Sequence, residues 1–228
     1  PFLIMLIFAK EPPDREHHSL KQLVSCLVEK DGWMFNAIYI ITFGGFIGLA
    51  NFLPTFFHDQ FGVTKVQAGQ LTMLAAVMGS AIRIVGGYIS DKWGGINSLT
   101  LVFIGVIVLM LLLSGAPSLT VTTGLFMICF AFLGMGNGSL FQLVPLRWPT
   151  TTAVAGSMIG EIGALGGAFI PNAMGLSKQY SGSFAYGFIA FTILAAIIFL
   201  FMRLAQRRWT QTWVGKGGKA LSEAKTVY

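Results

Sequence analysis

Apolar runs of roughly 18 to 25 residues, each closed by a short polar break, alternate along most of this chain, and that is the length a membrane-spanning helix needs. The pattern predicts six spans, over roughly 33–56, 66–89, 97–115, 120–145, 153–175 and 183–204. The breaks "HDQFGVTK", "SDKWGG", "GAPS", "LRWPTT" and "SKQYSGS" are short, so consecutive helices are expected as antiparallel neighbours. The expected fold class is an all-α membrane protein built as a six-transmembrane-helix bundle.

Outside the bundle, 33–204, the pattern changes. Residues 1–9, in "PFLIMLIFAK", are apolar but too short to span, and they lack the basic start and small-residue cleavage site of a signal peptide. They read as the end of a truncated preceding helix. Residues 10–32 are charged and open with "EPPDREHH", whose prolines oppose a straight helical continuation; "SLKQLVSCLVEK" follows as a candidate surface helix. This stretch has the character of a loop between two bundles, and 205–228 that of a polar tail. Six spans after a charged connector fit the C-terminal half of a twelve-helix carrier, with substrate bound near the midplane between halves.

Composition agrees with lipid: of 228 residues 54% are hydrophobic and only 11% charged, against about 25% charged in soluble domains. The net charge of +6 does not mark a nucleic-acid partner, because the basic residues form no single stripe. Alternating the loops puts Lys10, Arg15, Lys21, Lys30, Lys92, Arg147, Arg203, Arg207, Arg208, Lys216, Lys219 and Lys225 on one side and only Lys65 and Lys178 on the other. The positive-inside rule makes the first side cytoplasmic, with both ends there. Cys26 in the loop and Cys129 in a span make a structural disulfide improbable, and His17, His18 and His58, all in loops, are a weak metal signal. No cofactor or metal is expected.

The candidate chemistry begins with Arg83, mid-span and about 12 Å from Asp91 along the helix at 1.5 Å per residue. An arginine there costs about 2.5–3.5 kcal/mol on insertion scales. Thr72, Ala76, Gly79 and Ser90 fall on its helical face, whereas Ile82, Ile84 and Val85 point elsewhere, which reads as a charge facing a cavity. The bland alternatives are snorkelling to the inner interface or a structural pair with Glu161 or Asp91. A guanidinium stays charged and its planar fork suits flat oxyanions, so a cavity-facing Arg83 points to an anion carrier.

Tyr39, Phe43, Phe46 and Ala50 share one face of the first span, as an aromatic wall for a planar ligand or as plain packing. Asn137, flanked by Gly134, Gly136 and Gly138, with Gln142 beyond, is either an interhelical hydrogen bonder or part of a site at a hinge. In the fifth span Gly156, Gly160, Gly163 and Gly167 fall within an arc of about 60°, a groove for close helix packing or for sliding during transport. Glu161 projects away from most of that stripe, so glycines and carboxylate serve different contacts; proton coupling and an interhelical polar contact are its two readings.

These segments resemble the nitrate/nitrite porters of the major facilitator superfamily, from about 33 to 200. "GYISDKWGG" is similar to the superfamily's cytoplasmic glycine–aspartate–basic loop motif, with Gly87, Asp91, Lys92 and Gly94 as its members, although it lacks the basic pair after the last glycine. "AGSMIGEIGALGGAFIP" resembles the glycine-rich nitrate signature of the eleventh helix and "GMGNGSLFQ" the helix before it. The resemblance implies two six-helix halves around one anion site, with Arg83 as the substrate arginine and Tyr39 as the seventh-helix tyrosine. The family's second arginine belongs to the N-terminal half, so this chain is expected to hold half a site. Phe43, Asn137, Gly163 and Gly167 are the further candidates, in a bacterial cytoplasmic (inner) membrane protein that moves nitrate or nitrite by exchange or by proton-coupled uptake.

An enzyme would need converging nucleophiles, acids or metal ligands. Away from their ends the spans contain only Arg83 and Glu161 as charges, and no histidine. A porter for another small oxyanion or organic anion, or a non-transporting membrane fragment, are the competing readings.

Overall fold

The computed structural model describes residues 28–115 and 117–221. Residues 1–9, and 10–27 of the expected inter-bundle loop, lie outside the described residues. Six long helices follow: α1 (Lys30–Phe61), α2 (Lys65–Trp93), α3 (Gly95–Ser114), α4 (Leu119–Arg147), α5 (Thr152–Ser181) and α6 (Ala185–Thr212), each apolar and long enough to cross a membrane. Every expected span is found, and most run past the expected ends. At 1.5 Å per residue the 29 residues of α2 measure about 44 Å, well over the roughly 30 Å hydrocarbon core. Their polar ends are helical because their backbone groups find partners. Thr64 and Gln67 form a reciprocal capping box at the start of α2, at 3.1 and 3.3 Å. Gly62, Gly94 and Gly182 take positive φ between helices, where the chain turns sharply.

The dominant packing is between α2 and α4, which skips α3; α3 in turn lies between α4 and α6, and α1 packs against α5 and α2. The expectation that sequence neighbours pair therefore holds only in part. Small residues decide the matter. A Cβ added to Gly86 would lie 2.6 Å from the Met135 Cα, and one added to Gly79 would lie 2.5 Å from the Phe130 carbonyl oxygen, so the two backbones nearly touch. Ser90 donates to the Ser139 hydroxyl at 2.7 Å along the same seam.

One end of the bundle is sealed by phenylalanines: Phe56 sits 5.4–5.6 Å from the rings of Phe126, Phe184 and Phe188. The other end carries an ion-pair hub. Asp31, with its side chain only 9% exposed, accepts from Arg147 at 2.7 Å, from the Trp209 indole at 2.8 Å and from Arg208. It ties the start of α1 to the ends of α4 and α6. Phe35, Trp148, Trp209 and Trp213 pack directly beneath it, and the short turn Lys216–Gly218 folds back over the α2–α3 junction.

Candidate anion site

α1 is not a uniform helix: residues Ile40–Gly44 form a π-turn between α-helical segments. Such turns add a residue without breaking the helix and frequently mark functional sites. Here the turn sits between Tyr39 and Gly45, and it places the Tyr39 and Phe43 rings in a parallel stack 4.8 Å apart. The Phe141 ring of α4 meets Tyr39 edge-on at 5.3 Å, and Gly163 of α5 closes against the other flank of the tyrosine ring. Tyr39 is buried as a result.

Arg83 arrives from α2. Its guanidinium carbon lies 5.5 Å from the Phe43 ring centroid and 5.7 Å from that of Phe46, so two aromatic faces hold the cation. Phe46 is in turn packed on Phe130, 5.0 Å away. Arg83 is half-buried, its Nε is fully buried without a hydrogen-bond acceptor, and it makes no ion pair among the described residues. The expected alternatives, a pair with Glu161 or with Asp91, are therefore not formed. Tyr39 lies within electrostatic reach of Arg83. The site is thus a cation fixed by rings, next to a stacked tyrosine, with unused donor capacity.

The face flanking Arg83 differs from expectation. Thr72, Gly79 and Ser90 are buried, Gly79 and Ser90 in the α2–α4 seam and Thr72 bonded to its own helix, rather than open to a cavity. Small residues permit either a cavity or close approach of a backbone, and here the backbone of α4 fills the space. Arg83 emerges at the edge of that seam, towards α1.

Of the other candidates, Asn137 is buried with both amide atoms unpaired, as is the hydroxyl of Thr42 in the π-turn. Asn137 stands one turn before Phe141, the residue that meets Tyr39. Gly167 does not reach the rings and instead packs on Ile47 and Gly48. The fifth-span groove is likewise only partly as read. Gly163, Gly166 and Gly167 contact α1, Gly156 approaches only the Phe141 ring, and Gly160 has no heavy atom near its Cβ position. Glu161 is exposed and forms no hydrogen bond or ion pair among the described residues, so it makes no interhelical polar contact within this bundle.

At the end of α2, Lys92 lies 4.4 Å over the Tyr88 ring, Asp91 is exposed, Gly94 makes the turn into α3, and Gly87 leaves its backbone open to α4 at Gly138. Sequence reasoning missed Phe141, Thr42 and the Asp31 hub. Phe141 was legible as an aromatic one turn from Asn137; the hub joins residues far apart in sequence and had no local signal.

Six helices, each long and apolar enough to cross a membrane, mark an integral membrane protein. The chain belongs to the Major Facilitator Superfamily, whose family model matches residues 2–171. It is 30% identical over 183 residues to the nitrite extrusion protein of Bacillus subtilis, which covers 79% of this chain and 46% of that protein. The probable nitrate/nitrite antiporter NarK1 of Thermus thermophilus is 30% identical over 75% of this chain and 43% of its own length. The nitrate/nitrite transporter NarU of Salmonella typhimurium is 32% identical over 66% of this chain and 38% of its own length. The chain spans less than half the length of these curated relatives.

Proposed function

We propose that this bundle forms one half of a nitrate/nitrite carrier that works by alternating access, with a second six-helix bundle supplying the other half of the anion site. One observation carries this reading: the Arg83 guanidinium is held over Phe43 and Phe46 with a buried Nε that has no acceptor. A planar cation held on two rings, within electrostatic reach of Tyr39, suits a small planar oxyanion, which accepts in plane and stacks on rings, and the unpaired amide of Asn137 on α4 offers a further donor. The names of the relatives support nitrate and nitrite over other oxyanions.

In this reading Arg83 is the chief ligand, Tyr39 and Asn137 are donors, Phe43 and Gly163 are walls, and Gly167 belongs to helix packing. Closing an empty carrier over uncompensated arginines is unfavourable, so the anion rides back and the result is exchange. Glu161, exposed and not ion-paired with Arg83, favours exchange over proton-coupled uptake. The chain takes a bacterial cytoplasmic membrane with Lys30, Lys92, Arg147 and Arg208 on the cytoplasmic side, as their excess over Lys65 and Lys178 requires.

The test is nitrate flux in proteoliposomes that hold the chain alone, or the chain joined to the part of the Bacillus subtilis relative that it does not span. Nitrate/nitrite exchange is expected only in the joined form. Saturable flux by the 228-residue chain alone overturns the half-site reading.

A further inference from the structure

Two hollows meet at the arginine-rich end of the bundle, and they share two cations. The first is a polar basin of about 440 Å³ bordered by Glu29, Asp31, Arg147, Thr212 and Trp213. The second is a groove of about 470 Å³ between α1 and α6, lined by Trp33, Met34, Ala37, Ile198, Phe201 and Leu204. Lys30 and Arg208 border both. A polar basin and an apolar groove joined through a pair of cations have the shape and polarity of one amphiphile.

The charges at this junction are available. Lys30 is exposed and forms no ion pair among the described residues. Glu29 and Asp31 together balance Arg147 and Arg208, so Lys30 is the surplus charge, while the Arg208 side chain remains 47% exposed and keeps donors free. Arg207 adds a further exposed cation next in the chain. Trp33 is exposed beside Lys30, the position in which indoles settle between hydrocarbon and headgroup. An ordinary lipid-facing surface is convex and apolar and holds lipid without choosing a headgroup. This one is a shallow hollow whose polar and apolar parts meet at Lys30 and Arg208. Basic pockets between helices on the cytoplasmic side are suited to anionic headgroups.

We propose that this groove binds one anionic phospholipid, with its phosphodiester between Lys30 and Arg208 and an acyl chain along Met34, Ala37, Ile198 and Phe201. Its leaflet is cytoplasmic under the orientation given above. Because the lipid touches the first turns of α1 and the end of α6, it bears on the same junction that Asp31 holds together.

The experiment places the full chain in nanodiscs of phosphatidylcholine with a minor fraction of lipid brominated on its acyl chains. That lipid is phosphatidylglycerol in one series and phosphatidylcholine in the other. Trp33 fluorescence, isolated as the difference from a Trp33→Phe variant, reads occupancy. Brominated phosphatidylglycerol is expected to quench at least threefold more effectively than brominated phosphatidylcholine. Lys30→Gln, which disturbs no ion pair, and Ala37→Phe, which fills the groove and keeps both cations, should each bring that ratio close to one. Arg208 is left intact because it also serves Asp31. Equal quenching by both lipids in the unaltered chain overturns the proposal. A preference that survives both substitutions also overturns it, since it then reflects diffuse surface charge. Nanodiscs present the anionic lipid in both leaflets, so a reversed orientation leaves the outcome unchanged and does not masquerade as failure of the site.

Discussion

Gly138 lies against the backbone of Arg83: a Cβ placed on that glycine would sit 2.5 Å from the Arg83 carbonyl oxygen. The anion-ligand candidate is therefore positioned by what its neighbour lacks. Overpacking a tight contact typically costs about 1–3 kcal/mol, and here the displaced element is the turn that bears Arg83. Gly138→Ala is expected to lower the melting temperature in detergent and to weaken nitrate binding in the joined carrier. An equal change at Gly160, where nothing lies within 4 Å, should leave the melting temperature unaltered. Unaltered melting and binding in Gly138→Ala would show that α2 is not held this way.

Orientation is checked by single cysteines at Ser118 and Ser181, in a background lacking Cys26 and Cys129. Both serines are exposed at the end of the bundle opposite Asp31. They should react with an impermeant maleimide applied outside intact cells. Labelling that requires permeabilisation would invert the topology.

The Asp31 hub predicts a stability effect with a built-in comparison. Asp31→Asn keeps an acceptor for the Trp209 indole but removes the charge that Arg147 and Arg208 share. Breaking a buried pair costs about 3–5 kcal/mol, and the half-exposed Arg208 reduces that, so a loss on the order of 2–4 kcal/mol is expected. Glu29→Gln removes only the more exposed pair to Arg147 and should cost under about 1 kcal/mol. Chemical denaturation in mixed micelles measures both, and equal effects would deny the hub its role.

The sequence made the six helices and the positions of Arg83, Tyr39 and Phe43 readable, because hydropathy is strong in a bilayer and a mid-span arginine is conspicuous. Three features were hidden for physical reasons. The face of small residues around Arg83 fits a cavity and a helix seam equally well, and only the partner helix decides. The π-turn at Ile40–Gly44 has no local residue signature and reflects how α1 meets α5 and α4. The fifth-span glycines share one face from Gly156 to Gly167, but crossing helices share a shorter contact, so Gly166 joins Gly163 and Gly167 while Gly160 stands clear.

Glu161 separates the two coupling modes. It is exposed and has no ion pair among the described residues, so removing its charge should disturb none of their contacts. Glu161→Gln is expected to keep the folding yield and to leave nitrate/nitrite exchange and its response to a proton gradient unchanged. Loss of stimulation by an inward proton gradient, with exchange spared, would instead assign the proton to this carboxylate.

Arg83 gives the most direct test of the site, in the joined carrier. Its guanidinium offers two in-plane donors to an oxyanion and a flat face to Phe43 and Phe46. Arg83→Lys keeps the charge and loses the fork and the flat stacking face; Arg83→Ala loses all three. A hydrogen bond to a charged group contributes about 1.5–3 kcal/mol, so the loss of one weakens binding roughly tenfold or more. Nitrate affinity should fall in both variants and furthest in Arg83→Ala, at unchanged membrane insertion. An arginine that merely snorkelled to the interface would tolerate lysine, which snorkels as well. Isothermal titration in detergent with nitrate reads the difference, and near-normal affinity in Arg83→Lys would remove Arg83 from the site.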